Sequence, residues 1–239
     1  GGGHPELRVE RRWDDDARCL TLSIEQAQEE DGVTPVFRLP MTVEVVARGV
    51  RRRIPIEIRA RRETIQIPLP ARPRYVALDP EHHVMKALDF PRSDEELMFG
   101  LARSPHTLER IRCARELAAR ADARVVAALF RAFRGDAFWG VRAAAAVSLG
   151  EIGRRVPGIA DRIGPAGLKA HTRVRRAVIW ALGLIGEDAA LKHLTRFVAS
   201  EKSTFNAGWA LIAIAKAGPP GAFEALCAEL DRPSHRDML

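Results

Sequence analysis

Histidine, cysteine and clustered arginine are the side chains of this 239-residue sequence whose chemistry could define a site. Seven histidines, His4, His82, His83, His106, His171, His193 and His235, are candidates for metal ligation or proton transfer. None belongs to an H-E-x-x-H pattern, the spacing that sets two imidazoles on one helical face with a base beside them. His82 and His83 are adjacent, so on a strand they point to opposite faces, and a loop or strand-edge role is expected. Cys19, Cys113 and Cys227 are odd in number and widely spaced, with no C-x-x-C pair. They predict three buried thiols rather than a disulfide framework or a zinc ribbon. No G-x-S-x-G elbow, phosphate-binding glycine loop or Cys–His pair is present. Catalytic, cofactor-binding and metal-ligating residues are therefore expected to be none in this chain. Arg51-Arg52-Arg53 has the charge to hold a phosphate, but a solvated hairpin tip is the expected role. Arg142, Arg175 and Arg176 remain as candidate contacts to a peptide or protein partner, with a structural role as the leading reading.

The elements that must position these residues change character near residue 92. Through Pro91 the chain alternates apolar and polar residues, and 15 basic residues balance 15 acidic ones. From Arg92 it is rich in Ala, Leu and Arg, with 23 basic residues against 16 acidic, so the whole net charge of +7 sits there. That excess could draw an anionic partner, yet scattered Arg mainly confers solubility, and nucleic acid is not the expected partner. No apolar run approaches the ~18 residues of a membrane span. The start, Gly1-Gly2-Gly3-His4-Pro5, reads as cut from something longer.

The first part has the period of strands. Leu7 and Val9, then Leu20, Leu22 and Ile24, alternate with polar residues across the Asp14-Asp15-Asp16 turn. Asp31-Gly32 begins a loop. Phe37, Leu39, Val43 and Val45 give a third segment, or a third and a fourth, with Pro40 between them implying an edge or a bulge. A hairpin at Gly49 leads into Ile54, Ile56 and Ile58. Ile65, Ile67 and Leu69, then Val76 and Leu78, and then a last stretch at Val84 to Leu88 complete about seven strands. Trp13 and Tyr75 are assigned to core or rim packing. This pattern predicts an antiparallel β-sandwich over 1–91.

The second part has the period of helices. Ser93-Asp94-Glu95-Glu96 is a capping box, and Ser104-Pro105 starts the next helix with Leu108, Ile111 and Leu117 as its stripe. Val125, Val126, Leu129 and Phe130 make a helix that Gly135-Asp136 ends. Phe138-Trp139-Gly140-Val141-Arg142-Ala143 then opens a helix whose core face is Val141, Ala144, Ala145, Leu149 and Ile152. It recurs at Val174–Gly186 and Asn206–Gly218, with a weaker upstream copy at Ile111–Arg120. Gly153, Gly186 and Gly218 are expected as left-handed caps, and Trp139, Trp180 and Trp209 as core between repeats. The tail from Pro233 is expected to fray. About three and a half to four helix pairs would stack into a solenoid over 92–239, since no pair alone can bury its stripe.

The V-R-x-A-A-x-x-L-G-x-I-G helix at Val141–Gly153 and Val174–Gly186 resembles HEAT repeats. The resemblance implies that Arg142 and Arg175 bond the preceding turn. The fold class is thus α+β in two segregated domains, a β-sandwich followed by an α-solenoid of HEAT-like pairs.

The order of parts carries a second resemblance. Gly3-His4-Pro5-Glu6-Leu7, Trp13-Asp14 and Phe37-Arg38-Leu39-Pro40-Met41-Thr42-Val43-Glu44-Val45 are similar to the sandwich that follows the catalytic domain in the aminopeptidase N family of zinc metallopeptidases. Glu63 to Leu69, Arg74 to Pro80, Val84 to Phe90 and Phe138 to Ala143 continue it. The family's H-E-x-x-H and G-x-M-E-N motifs are absent, so no catalytic residue is carried over and zinc is expected only in a separate catalytic domain. The resemblance implies a non-catalytic C-terminal region that packs on that domain and controls peptide access. Its partners would be the catalytic domain of the same polypeptide, and a peptide substrate or another protein at the helical face. The alternatives are a HEAT scaffold that is not a peptidase, and a basic nucleic-acid-binding module.

Overall fold

The computed structural model describes residues 3–29, 36–186, 188–201, 203–218 and 221–230. The Asp31-Gly32 loop, His235 and the tail from Pro233 lie outside them. Among the described residues the chain forms seven strands and then nine helices, and compactness divides it into a first unit ending at Glu109 and a second beginning at Arg110.

In the first unit the strands are β1 (Glu6–Asp14), β2 (Cys19–Gln26), β3 (Leu39–Ala47), β4 (Val50–Ile58), β5 (Arg62–Pro68), β6 (Tyr75–Leu78) and β7 (Ala87–Asp89). One sheet has the order β5-β2-β1-β7 and the other β4-β3-β6. All pairings are antiparallel except β1 with β7, which run parallel with Leu7 opposite Leu88. Alternation decides the core: Leu7, Val9, Leu20, Leu22 and Ile24 of one sheet belong to one buried cluster with Val43, Val45, Val76 and Leu78 of the other. Burying such side chains stabilises by roughly 1.5–3 kcal/mol each.

The residues either side of Pro40 form one strand, which settles the choice between one segment and two. Pro40 lies opposite Glu57 of β4, while β6 reaches β3 only at Val43–Val46, so the missing N–H costs no sheet bond on that side. Arg48 and Gly49, with φ of 48° and 76°, make the two-residue turn that joins β3 to β4. Arg51-Arg52-Arg53 is therefore inside β4 rather than at a hairpin tip. Arg51 pairs with the fully buried Glu44, and Arg53 with Glu81.

β6 is buried on both faces because its outer face meets a helix. Helix α1 (Asp94–Arg103) starts with the expected capping box, Ser93 Oγ accepting from Glu96 N at 3.3 Å and Glu96 Oε2 from Ser93 N at 3.1 Å. Phe99 of α1 packs on Tyr75, with ring centroids 5.5 Å apart. Arg11 of β1 grips the carboxylate of Glu96 with two donors. Helix α2 (Thr107–Leu117) starts two residues after Pro105, because Ser104 caps α1 and its Oγ accepts from His106 N at 3.2 Å. Its buried face is Cys113, Ala114 and Leu117; Leu108 is exposed, so the stripe expected through Leu108 and Ile111 is turned by a fraction of a turn. Glu109, fully buried, accepts from Arg92 and from Tyr75 Oη at 3.0 Å, and fastens the segment after β7 to the sheet.

The second unit holds the rest of α2, then α3 (Ala123–Gly135), α4 (Trp139–Gly153), α5 (Ile159–Leu168), α6 (Thr172–Ile185), α7 (Asp188–Ser200), α8 (Thr204–Ala217) and α9 (Ala222–Leu230). α3, α5 and α7 pair with α4, α6 and α8, and the latter three pack side by side. Gly150 of α4 faces Ala181 of α6, and Gly183 of α6 faces Ala213 of α8. Gly186 and Gly218 are left-handed caps with φ of 70° and 57°. Gly153 is not: it is helical, the cap is Arg154, and a Cβ on Gly153 would fall 2.7 Å from Ile185 Cγ1. The last glycine of the motif thus serves packing in one repeat and capping in the next two.

Candidate functional site

Each helix of the α4–α6–α8 row is covered by its neighbours on most sides. Its remaining face holds a stripe at helical spacing. On α6, Val174, Val178, Ile179, Ala181 and Leu182 are buried, which leaves Arg173, Arg176, Ala177, Trp180 and Leu184 on the open side. On α8 the same logic leaves Phe205, Trp209, Ile212 and Lys216, and on α4 Trp139, Ala143, Val147 and Glu151. Because the repeats are 32–33 residues apart, these stripes lie side by side.

The result is a groove of three adjoining depressions. One of about 490 Å³ lies between Arg115 of α2, the α4 N-cap residue Phe138, and Trp139 and Val147 of α4. One of about 630 Å³ is lined by Trp139, Arg173, Arg176, Trp180 and Trp209. One of about 340 Å³ is lined by Arg154, Trp180, Leu184, Trp209, Ile212 and Lys216. The large apolar side chains are open to solvent: Trp180 is 42% exposed, Ile212 44% and Phe205 55%. The tryptophans were expected as core between repeats. They line the groove instead, because the inter-repeat contact is made by small residues at Gly150–Ala181 and Gly183–Ala213.

The cations sit on the rings. The Arg173 guanidinium lies 4.5 Å from the centroid of Trp139, Arg176 lies 4.3 Å from that of Phe205, and Lys216 Nζ lies 5.9 Å from that of Trp180. Trp180 and Trp209 meet edge to face at 5.8 Å, and His171 stacks on Trp139 at 6.1 Å.

Of the three arginines weighed as partner contacts, with a structural role as the leading reading, two bond the chain itself. Arg142 donates to Asp136 O at 2.6 Å and Ala137 O at 3.2 Å, both in the turn before α4. Arg175 donates to Ala170 O at 2.8 Å in the turn before α6, and holds Glu201 with Nε and Nη2 at 2.7 and 2.8 Å. Arg176 lines the groove, bonded only weakly to Asn206 Oδ1 at 3.4 Å. Arg173 and Trp180 were missed as site residues. The signal was there: they fall seven residues apart, two helical turns, with Arg176–Ala177 midway, on a face turned away from Val174 and Val178.

Glu201 gives the row its pH dependence. Burial pushes its carboxyl up, but the hydrogen bonds from Arg175, Ser203 N and the Asn206 amide, with the charge of Arg175, outweigh that and hold it at about 2 against an ordinary 4.5. A depressed folded pKa contributes stability that is fully present above pH 4.5 and is lost as the pH falls toward 2. Arg175→Gln is expected to flatten that loss. The check is urea unfolding of wild type and variant at about pH 6 and about pH 3; an unchanged difference between the two pH values would refute the pair's role.

The remaining candidates scatter. His82 Nε2 lies 3.7 Å from Glu109 and His83 Nδ1 3.7 Å from Glu81, in the turn after β6. His106 Nε2 bonds Glu44 Oε2 at 3.1 Å. Among the described residues no three His, Cys, Asp or Glu side chains form a group that could hold a metal ion. Cys113 is buried, but Cys19 is half-buried at the start of β2 and Cys227 is exposed on α9, so only one of the three expected buried thiols is found. No helix of the described residues is long and apolar enough to cross a membrane.

Residues 95–161 match the family model described as HEAT repeats. No curated protein matches the sequence. Among solved structures, the chain is similar to a Legionella pneumophila aminopeptidase A crystallised in complex with aspartic acid. The TM-score is 0.63 at 13% identity, covering 97% of this chain and 34% of that one. The chain therefore spans about a third of that protein's length, and at such identity the likeness is one of fold.

Proposed function

We propose that this chain is the non-catalytic C-terminal part of an aminopeptidase N-like zinc metallopeptidase, packing on and enclosing the catalytic domain to control peptide access. The observation that carries the reading is that sandwich and helices together, 97% of the chain, find their fold within one third of an aminopeptidase chain. The residues quoted for the family resemblance, from Trp13-Asp14 to Phe138–Ala143, run through the same two parts. The chain's own contribution is steric and electrostatic. Its helical row supplies a wall with basic and aromatic side chains, and a wall of that kind limits substrate size and excludes water when domains close. Zinc and the activated water belong to the catalytic domain, and no step is assigned to residues here.

The test uses the 239-residue chain with added zinc and aminoacyl 4-nitroanilides. No hydrolysis above buffer is expected; chelator-sensitive turnover by this chain would overturn the assignment. A second reading, a HEAT scaffold without peptidase activity, is supported by the open aromatic groove itself. The reading frame preceding Gly1 separates the two, since an intact H-E-x-x-H belongs to the peptidase and a degraded one to the scaffold.

A further inference from the structure

We propose that the groove across α2, α4, α6 and α8 is a docking site for an extended acidic peptide segment that also carries large apolar side chains. The inference holds whether the parent is a peptidase or a scaffold, because every residue of the groove belongs to this chain's second unit.

Charge is the first argument. Arg115, Arg154, Arg173, Arg176 and Lys216 line the groove against one carboxylate, Glu151. None of the five cations has an ion-pair partner among the described residues, whereas Arg142 and Arg175 of the same helices are consumed by turns and by Glu201. Five cations held together beside a single carboxylate repel one another, and an anionic ligand relieves that repulsion.

Geometry is the second. A guanidinium lying over an aromatic ring keeps its in-plane N–H donors at its edge, where a carboxylate can accept two at once. Arg173 on Trp139 and Arg176 on Phe205 are held in that way. Stacking also fixes the side chains beforehand, which lowers the entropy cost of binding.

The apolar depressions are the third. There are three in a row, and adjacent helices stand roughly 8–10 Å apart. An extended peptide in the polyproline II conformation advances about 3.1 Å per residue with three residues per turn, so side chains three residues apart share one face and reach successive depressions. Acidic residues between them meet the cations. A single-stranded nucleic acid fits less well. It gains from aromatic faces on which bases stack, and here the faces of Trp139 and Phe205 already carry cations.

The test is fluorescence anisotropy with the full chain and three labelled probes: a peptide of repeating Asp, Leu and Trp, its Asn counterpart, and oligodeoxythymidine. The acidic peptide is expected to bind saturably, at least tenfold tighter than the Asn peptide, and to weaken about tenfold between about 50 and about 300 mM salt. Arg173→Glu with Arg176→Glu is expected to abolish binding, while Arg131→Glu, on an exposed position of α3, leaves it unchanged. Circular dichroism melts establish that each variant is folded, and Arg173→Gln with Arg176→Gln is the milder pair should the charge reversal unfold the chain. Equal affinity for the Asp and Asn peptides, binding that survives both arginine pairs, or tighter binding of oligodeoxythymidine than of the acidic peptide would each overturn the proposal.

Discussion

Replacing Arg92 with Ala is expected to lower stability by about 3–5 kcal/mol, the largest single effect in the first unit. Both side chains of the Arg92–Glu109 pair are fully buried. Two charges out of water are tolerable only together. Without Arg92 the Glu109 carboxylate loses that guanidinium, while the hydroxyl of Tyr75 at 3.0 Å and His82 at 3.7 Å stay beside it. The balance turns on what is left behind, since a buried ion pair adds little net stability over apolar side chains, whereas half of one is an uncompensated charge. The double change Arg92→Met with Glu109→Leu is accordingly expected to cost less than Arg92→Ala alone. Tyr75→Phe removes one hydrogen bond to a charged acceptor and should cost about 1.5–3 kcal/mol. Arg38→Ala, on the solvated pair with Glu57, is the control and should change nothing measurable. Hydrogen exchange at the β6 amides reads the effect locally. Unchanged protection of Val76 and Ala77 in the Arg92 variant would show that the pair does not hold the helical segment to the sheet.

The second large effect comes from one methyl group. In Gly150→Ala the new Cβ would lie 2.6 Å from Ala181 Cα, 2.7 Å from its Cβ and 2.9 Å from its O. Two of those atoms are backbone and cannot rotate away, so α4 and α6 must separate along the closest contact in the row. Alanine's better helix propensity returns only about 0.5–1 kcal/mol, and overpacking a close contact costs about 1–3 kcal/mol. A net loss is expected. Gly208→Ala makes the same chemical change in α8 where nothing lies within 4 Å, and there the propensity gain should stand alone as a small stabilisation. Thermal melts of the two variants should therefore move in opposite directions, and a shared direction would show that the approach of α4 to α6 does not set the cost.

These contrasts show what a one-dimensional reading can carry. Periodicity found the strands, the capping box at Ser93 and the repeat helices, because each is written in residues two, three or four apart. It failed wherever a partner distant in sequence decides the role. Gly153 and Gly186 occupy one motif position, yet Ile185 makes the first a packing residue and an αL backbone makes the second a cap. Trp180 has the chemistry of a core residue, and only the glycine–alanine contacts beside it push it outward. Arg51 reads as a turn residue until Glu44, seven residues earlier and buried, claims it. The composition change at residue 92 marks where helices begin, but compactness runs on to Glu109 because Tyr75 and Glu44 need the first helices to cover them.

The parallel pairing of β1 with β7 has a mechanical consequence. β1 is the first strand of the unit, and β7 is the last before α1. Tension applied between Glu6 and Asp94 pulls the two strands in opposite senses along their common direction. The Glu6–Ala87, Leu7–Leu88 and Arg8–Asp89 pairings are then loaded together, in shear, rather than opened one at a time as a hairpin unzips. Arg11 on Glu96 adds a tie between β1 and α1 across the same path. The first unit is thereby built to pass a pull from its leading strand into its helices without unravelling, as a stiff coupling does.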